Sequence, residues 1–185
     1  MLKYILLGFL NYSPMTGYDL KRIIDHSTAH FWHAYHSQIY TTLARMEDEG
    51  LLTSETDDSD DKLSRRVYTI TPTGQAALAA WQRQPLTSLP HGKNELLVRL
   101  FFSADRKTEE VLDELRIQRR LHQQQLELYN HIYLDDYLNE APPTEQQNVA
   151  REMVFWQMTI DFGRAYEQMY LAWLDETINK LTELD

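Results

Sequence analysis

Leu2, Ile5, Leu6, Phe9 and Leu10 recur at the spacing of one helix face, and Asn11-Tyr12-Ser13-Pro14 interrupts the pattern. Thr16, with Asp19 three residues later, predicts the N-cap of a second helix whose inward positions are Leu20, Ile23 and Ile24. Ser37 is placed to cap a third helix, with Ile39, Leu43 and Met46 inward and Gly50 as the left-handed residue that stops it. Residues 51–56 and 66–71 then read as short strands joined by the polar stretch 57–64. Thr71-Pro72 predicts an N-cap followed by proline in the first turn of a fourth helix, which carries Ala76, Ala77, Leu78 and Trp81. Helix, helix, helix, two-stranded hairpin, helix is the order of a winged helix-turn-helix, although other small α+β domains share it.

Beyond Trp81 the pattern changes. Pro85, Pro90 and Gly92 predict a linker over 85–92, dividing the chain into a winged-helix domain, 1–84, and an α-helical dimerisation domain, 93–185. The fold class expected is therefore mainly α. Leu96, Leu97, Leu100 and Phe101 mark a short amphipathic helix. A long helix starts at Thr108-Glu109-Glu110, with Ile117, Leu121, Leu128 and Ile132 as its stripe. Pro142-Pro143 precedes a last, longer helix, in which Val149, Met153, Trp156, Ile160, Gly163, Glu167, Tyr170, Leu174, Thr177 and Leu181 alternate spacings of four and three, a heptad seam. A second stripe, Phe155, Phe162, Tyr166, Met169 and Trp173, lies beside it. One helix rarely needs two buried faces, so a second subunit is expected to cover one of them. Met153, Trp156, Ile160, Gly163, Tyr170, Leu174 and Leu181 are assigned to that homodimer seam, pairing with the symmetry mate or its N-terminal half. Trp156, Phe162, Tyr166 and Trp173 suggest a pocket for a small aromatic or hydrophobic effector, with ordinary packing as the alternative.

Composition sets limits on these expectations. Apolar residues make up 43% and charged residues 25%, with no cysteine, so the chain reads as a globular domain without disulfides. The apolar first ten residues lack a basic leader and read as a core helix, with a cytoplasmic location expected. The net charge of −10 opposes binding to a polyanion, but −8 of it lies in residues 85–185. The third helix turns Ser37, Gln38, Thr41, Thr42 and Arg45 away from the assigned core face, a short polar surface of the kind that reads base edges in a major groove. Lys62, Arg65 and Arg66 flank the second strand and can reach phosphate, whereas Asp57, Asp58, Asp60 and Asp61 beside them repel it. That acidic run lacks the glycine and glutamate of a calcium loop. His26, His30, His33 and His36 would share one side only on a continuous helix, so no metal site is assigned. No phosphate loop, nucleophile elbow or zinc-protease motif occurs, and neither cofactor nor enzymatic activity is expected.

Gly17-Tyr18-Asp19-Leu20, Phe31-Trp32, Ser37-Gln38-Ile39-Tyr40, the run from Leu43 through Met46-Glu47-Asp48-Glu49-Gly50-Leu51-Leu52, Arg65-Arg66-Val67-Tyr68-Thr69-Ile70-Thr71 and Gly74 together resemble the PadR family of transcriptional regulators. The resemblance covers roughly residues 1–82, and the remainder looks like the helical C-terminal domain of its virulence-activator subfamily. It implies a homodimeric bacterial regulator of a pseudo-palindromic operator in double-stranded DNA, more often repressor than activator. It places Ser37, Gln38, Tyr40, Thr41 and Arg45 on the recognition helix, Tyr18 and Lys21 near backbone phosphate, and Arg65, Arg66 and Tyr68 on the wing. The acidic stretch at 57–61 departs from the family's usual wing. A helical interaction or ligand-sensing module that no longer binds DNA is the alternative.

Overall fold

Among the described residues, the first part of the chain is built from α1 (Leu2–Leu10), β1 (Met15–Thr16), α2 (Gly17–Ser27), α3 (His36–Asp48), β2 (Leu52–Asp57), β3 (Arg65–Ile70) and α4 (Pro72–Gln82). The computed structural model describes residues 1–28, 31–57, 65–89, 92–132 and 146–184. These fall into two units, Met1–Pro90 and His91–Asp185.

The local signals in the first unit act as their chemistry dictates. Thr16 caps α2: its Oγ1 accepts from the Asp19 N–H at 3.1 Å, and the Asp19 carboxylate accepts from the Thr16 N–H at 3.3 Å. Gly50, at φ +69°, closes α3 with two bonds, Gly50 N–H to Glu47 O and Leu51 N–H to Met46 O, both 2.9 Å. Thr71 caps α4 by accepting from the Gly74 N–H, with Pro72 next in the chain. Leu6, Leu7, Leu10, Leu20, Ile24, Ile39, Leu43, Met46 and Leu52 form the core. Leu7 lies outside the stripe read for α1; it is buried because α1 packs on both α3 and α4, which widens its buried arc. At the edge of the core Tyr4 stacks on Trp81 with ring centres 4.6 Å apart.

The sheet has three strands rather than the expected two, in the order β1-β3-β2, all antiparallel. Two residues, Met15 and Thr16, pair with Tyr68 and Val67 across some fifty positions of chain. A strand that short leaves no alternation to detect, which is why periodicity misses it.

Among the described residues, the second unit contains α5 (Glu95–Phe101), α6 (Thr108–Asn130) and α7 (Gln146–Thr182). Its core joins Leu96, Val111, Leu115, Tyr170 and Leu174, with Leu100, Trp173 and Leu181 packed around them. Two assignments need correcting. On α6 the buried residues are Val111, Leu112, Leu115 and Tyr129, whereas Ile117, Leu121 and Leu128 are exposed. On α7 the heptad seam is covered by the chain itself: Ile160, Tyr170 and Leu174 are buried, Met153, Trp156 and Leu181 are half-buried, and Gly163 lies against the Tyr129 ring of α6. The seam residues therefore pack within one chain. Of the stripe beside them, Phe155, Phe162, Tyr166 and Met169 are left exposed, together with the neighbouring Met158, whereas Trp173 is half-buried and packs on the core. Within the seam, the buried Glu167 meets the His122 ring, which stacks on Tyr170 at 3.9 Å. Pro142 and Pro143 lie outside the described residues.

Candidate nucleic-acid interface

α3 begins before the position predicted for its cap. Tyr35, extended at φ −80° and ψ 152°, is the N-cap residue, and its N–H donates to Gln38 Oε1 at 3.0 Å. Ser37 sits exposed in the first turn instead of capping it. Gln38, the side chain best suited to adenine, is thus folded back on its own helix start. Thr42 also differs from the sequence reading. It is only 8% exposed, and its hydroxyl donates to the Gln38 carbonyl at 2.6 Å. Position 42 stands three after Ile39 and four before Met46, so the helical repeat carries it to the inward row. Ser37, Gln38, Thr41 and Arg45 remain on the outer surface, and Arg45 lies 3.7 Å from Glu49.

α2 supports this surface. Tyr40 projects from α3 across Gly17, where a β-carbon would collide with its ring, and stacks with His36. Tyr18 is exposed, but the Lys21 side chain is mostly covered and paired with Asp25, whose carboxyl its ammonium holds below the usual carboxylate range. A phosphate would have to compete with that carboxylate for Lys21.

On the hairpin, Arg65 is exposed. Arg66 reaches α3, where Nη2 donates to Glu47 Oε2 at 2.7 Å, while Nε donates to Ser54 Oγ of β2 at 2.6 Å. Tyr68 is 4% exposed, and burial pushes its phenol up from the ordinary value; it serves the core and presents nothing to a partner. The alternation of β3 explains this, since Arg66 and Tyr68 share the face turned to α3. Lys62, Asp58, Asp60, Asp61 and His30 lie outside the described residues. His26 belongs to α2, His33 to the connection and His36 to α3, so these three do not share a helix.

Sequence reasoning missed Tyr35, Glu47 and Ser54. The Tyr35-x-x-Gln38 spacing carries only the glutamine half of a capping box, without the serine or threonine that makes one legible. The Glu47–Arg66 pair, nineteen positions apart, had no local signal.

The effector cluster is not assembled within the chain. Trp156 and Trp173 are seventeen residues apart on one helix, roughly 25 Å at 1.5 Å per residue, and Phe162 is 68% exposed. The second unit instead has an open cleft of about 850 Å³, which Tyr166 lines along with Asn94, Arg99, His122 and Tyr170.

Residues 6–80 match the transcriptional regulator PadR-like family, and residues 93–182 match the virulence activator alpha C-terminal family. The negative transcriptional regulator PadR of Bacillus subtilis is 32% identical over 128 residues, spanning 68% of this chain and 69% of the relative. The crystal structure of Bacillus subtilis PadR in complex with operator DNA superposes with a TM-score of 0.76 at 24% identity, over 97% of this chain and 98% of that one. The Vibrio cholerae virulence activator AphA superposes with a TM-score of 0.74 at 24% identity, over the full length of both chains. These two structural likenesses carry the fold, including the winged helix and its helical extension.

Proposed function

From the premise that the chain belongs to the PadR-like family of transcriptional regulators, we propose that it acts as a homodimeric repressor in the bacterial cytoplasm. It would read a pseudo-palindromic operator with α3 and brace the duplex with the hairpin. The observation that carries this is the outer face of α3. Ser37, Gln38, Thr41 and Arg45 stand exposed in a row, backed by a fully buried face of Ile39, Leu43 and Met46. The acidic C-terminal end of the helix is partly neutralised, Glu47 by Arg66 and Glu49 by Lys3 at 3.2 Å. That lowers the electrostatic cost of approaching phosphate. Repression is favoured over activation by the Bacillus relative, a negative regulator.

Dimerisation is proposed through the exposed stripe of α7. From Phe155 to Met169 it runs about 20 Å along the helix with apolar side chains turned outward. Two recognition helices about 34 Å apart would then meet successive turns of one groove.

Fluorescence anisotropy with the protein's own promoter fragment, across a salt series, tests the function. Arg45→Ala should cost about 1–3 kcal/mol and relax preference at one base position. Arg65→Ala should weaken all sequences alike and reduce the salt slope by about one. Equal loss on every sequence for both variants would show that α3 does not read bases. The net charge of −10 favours a second reading, a protein-interaction module without DNA affinity; an absence of binding at low salt would exclude the first reading in its favour.

A further inference from the structure

Arg66 stands where a wing arginine would be expected to grip phosphate, but its Nε and Nη2 are already engaged within the chain. Arg66 donates to Glu47 Oε2 and to Ser54 Oγ, and Ser54 Oγ in turn donates to Glu47 Oε1 at 2.6 Å. The three side chains close a ring in which both carboxylate oxygens of Glu47 accept. One member comes from the last turn of α3 and one from each strand of the hairpin. The guanidinium also lies 5.6 Å from the centre of the Tyr68 ring, and Tyr68 itself pairs with Ser54 across β2 and β3. The ring is therefore anchored to the core at its base.

We infer that Arg66 is a positioning residue: through Glu47 and Ser54 it locks the hairpin to the C-terminal end of the recognition helix, and it does not itself bind phosphate. This rests on the DNA-binding function proposed above. Two consequences follow from the chemistry. The angle between hairpin and helix is fixed before DNA arrives, so less ordering entropy is lost on binding. Glu47, which would otherwise face the duplex as a bare carboxylate, is held neutralised inside a charge-assisted fork. Removing Arg66 loosens the hairpin and uncovers a repelling charge, yet leaves the number of neutralised phosphates unchanged.

A double-mutant cycle tests the assignment, using Arg66→Ala, Glu47→Ala and the double variant on the promoter fragment over a salt series. Arg66→Ala should lower affinity about tenfold with the salt slope of the wild type. In the Glu47→Ala background the same substitution should cost less than about twofold. Arg66→Lys, which keeps the charge but not the planar fork, should behave like Arg66→Ala. A slope reduced by about one, with the same loss in both backgrounds and rescue by lysine, would make Arg66 a phosphate contact and overturn the proposal. If the wild type binds no DNA, the DNA-binding function fails separately. The ring is then judged in the free protein, by hydrogen exchange at the β2 and β3 amides over the same cycle. Non-additive loss of protection supports the lock, and additive or absent loss refutes it.

Discussion

Phe162→Glu is expected to yield a folded monomer with at least about 100-fold weaker affinity for the full operator. Phe162 lies midway along the exposed stripe of α7, flanked by Met158, Tyr166 and Met169, and it takes no part in the core that Tyr170 and Leu174 build. A glutamate there meets water in the monomer and costs the fold little. In a symmetric dimer each copy meets its mate, so two carboxylates would enter an apolar contact together. Operator affinity follows because two linked recognition helices bind with an effective concentration that a lone one lacks, a gain of about 10²–10⁴. Sedimentation at micromolar protein and anisotropy on full and half operators measure the two effects. A dimer that persists would place the interface elsewhere, and a monomer with undiminished affinity for the full site would show that pairing of the two subunits does not set operator affinity. Ile160→Glu gives the contrast. Ile160 is buried by its own chain, so the substitution should unfold the second unit rather than separate subunits.

The two stripes of α7 show where sequence reasoning stops. The spacing of Ile160, Gly163, Glu167, Tyr170 and Leu174 establishes that this face is covered, and it is. Periodicity carries no information about which chain does the covering, and here α6 does. Glu167 was the visible clue: a carboxylate in a seam needs a partner, and His122 of the same chain supplies it. Signals confined to a few residues were legible in full, as at Thr16-x-x-Asp19, Gly50 and Thr71-Pro72, because a cap is closed by atoms within one turn. The start of α3 was misplaced because two polar residues compete there, and Gln38 reaches back to Tyr35 in place of a cap from Ser37. On the candidate DNA surface, Ser37, Thr41, Arg45 and Arg65 stand exposed as read. Thr42 and Tyr68 turn inward, and Lys21 and Arg66 are tied to carboxylates, because burial and pairing depend on residues far away in the chain.

Gly74→Ala should destabilise the first unit by about 3 kcal/mol, although it adds a single methyl group to a helix. Glycine is ordinarily the weaker helix former, and alanine at an open position gains about 0.5–1 kcal/mol. Gly8 of α1 is such a position, with nothing near enough to meet an added β-carbon, so Gly8→Ala should raise stability by roughly that amount. Gly74 is the opposite case. Its β-carbon would fall well inside contact distance of the Leu51 carbonyl oxygen, with the Ile70 side chain on another side. That carbonyl cannot swing away, because it accepts from the Thr71 N–H at 3.0 Å, and Leu51 donates its own N–H to Met46 to close α3. Thr71 Oγ1 is held in the same knot, donating to Gly50 O at 2.8 Å while it accepts from the Gly74 N–H. The start of α4, the end of α3 and the residue leading into β2 are thus tied at one point, and a methyl group there strains all three. Urea unfolding of the two variants measures the opposite signs. Because the strained knot sits at the C-terminal end of α3, the helix proposed to read the operator, Gly74→Ala should also weaken operator binding, while Gly8→Ala leaves it unchanged. Equal stability for the two variants would mean that α4 can shift away from Leu51 at little cost.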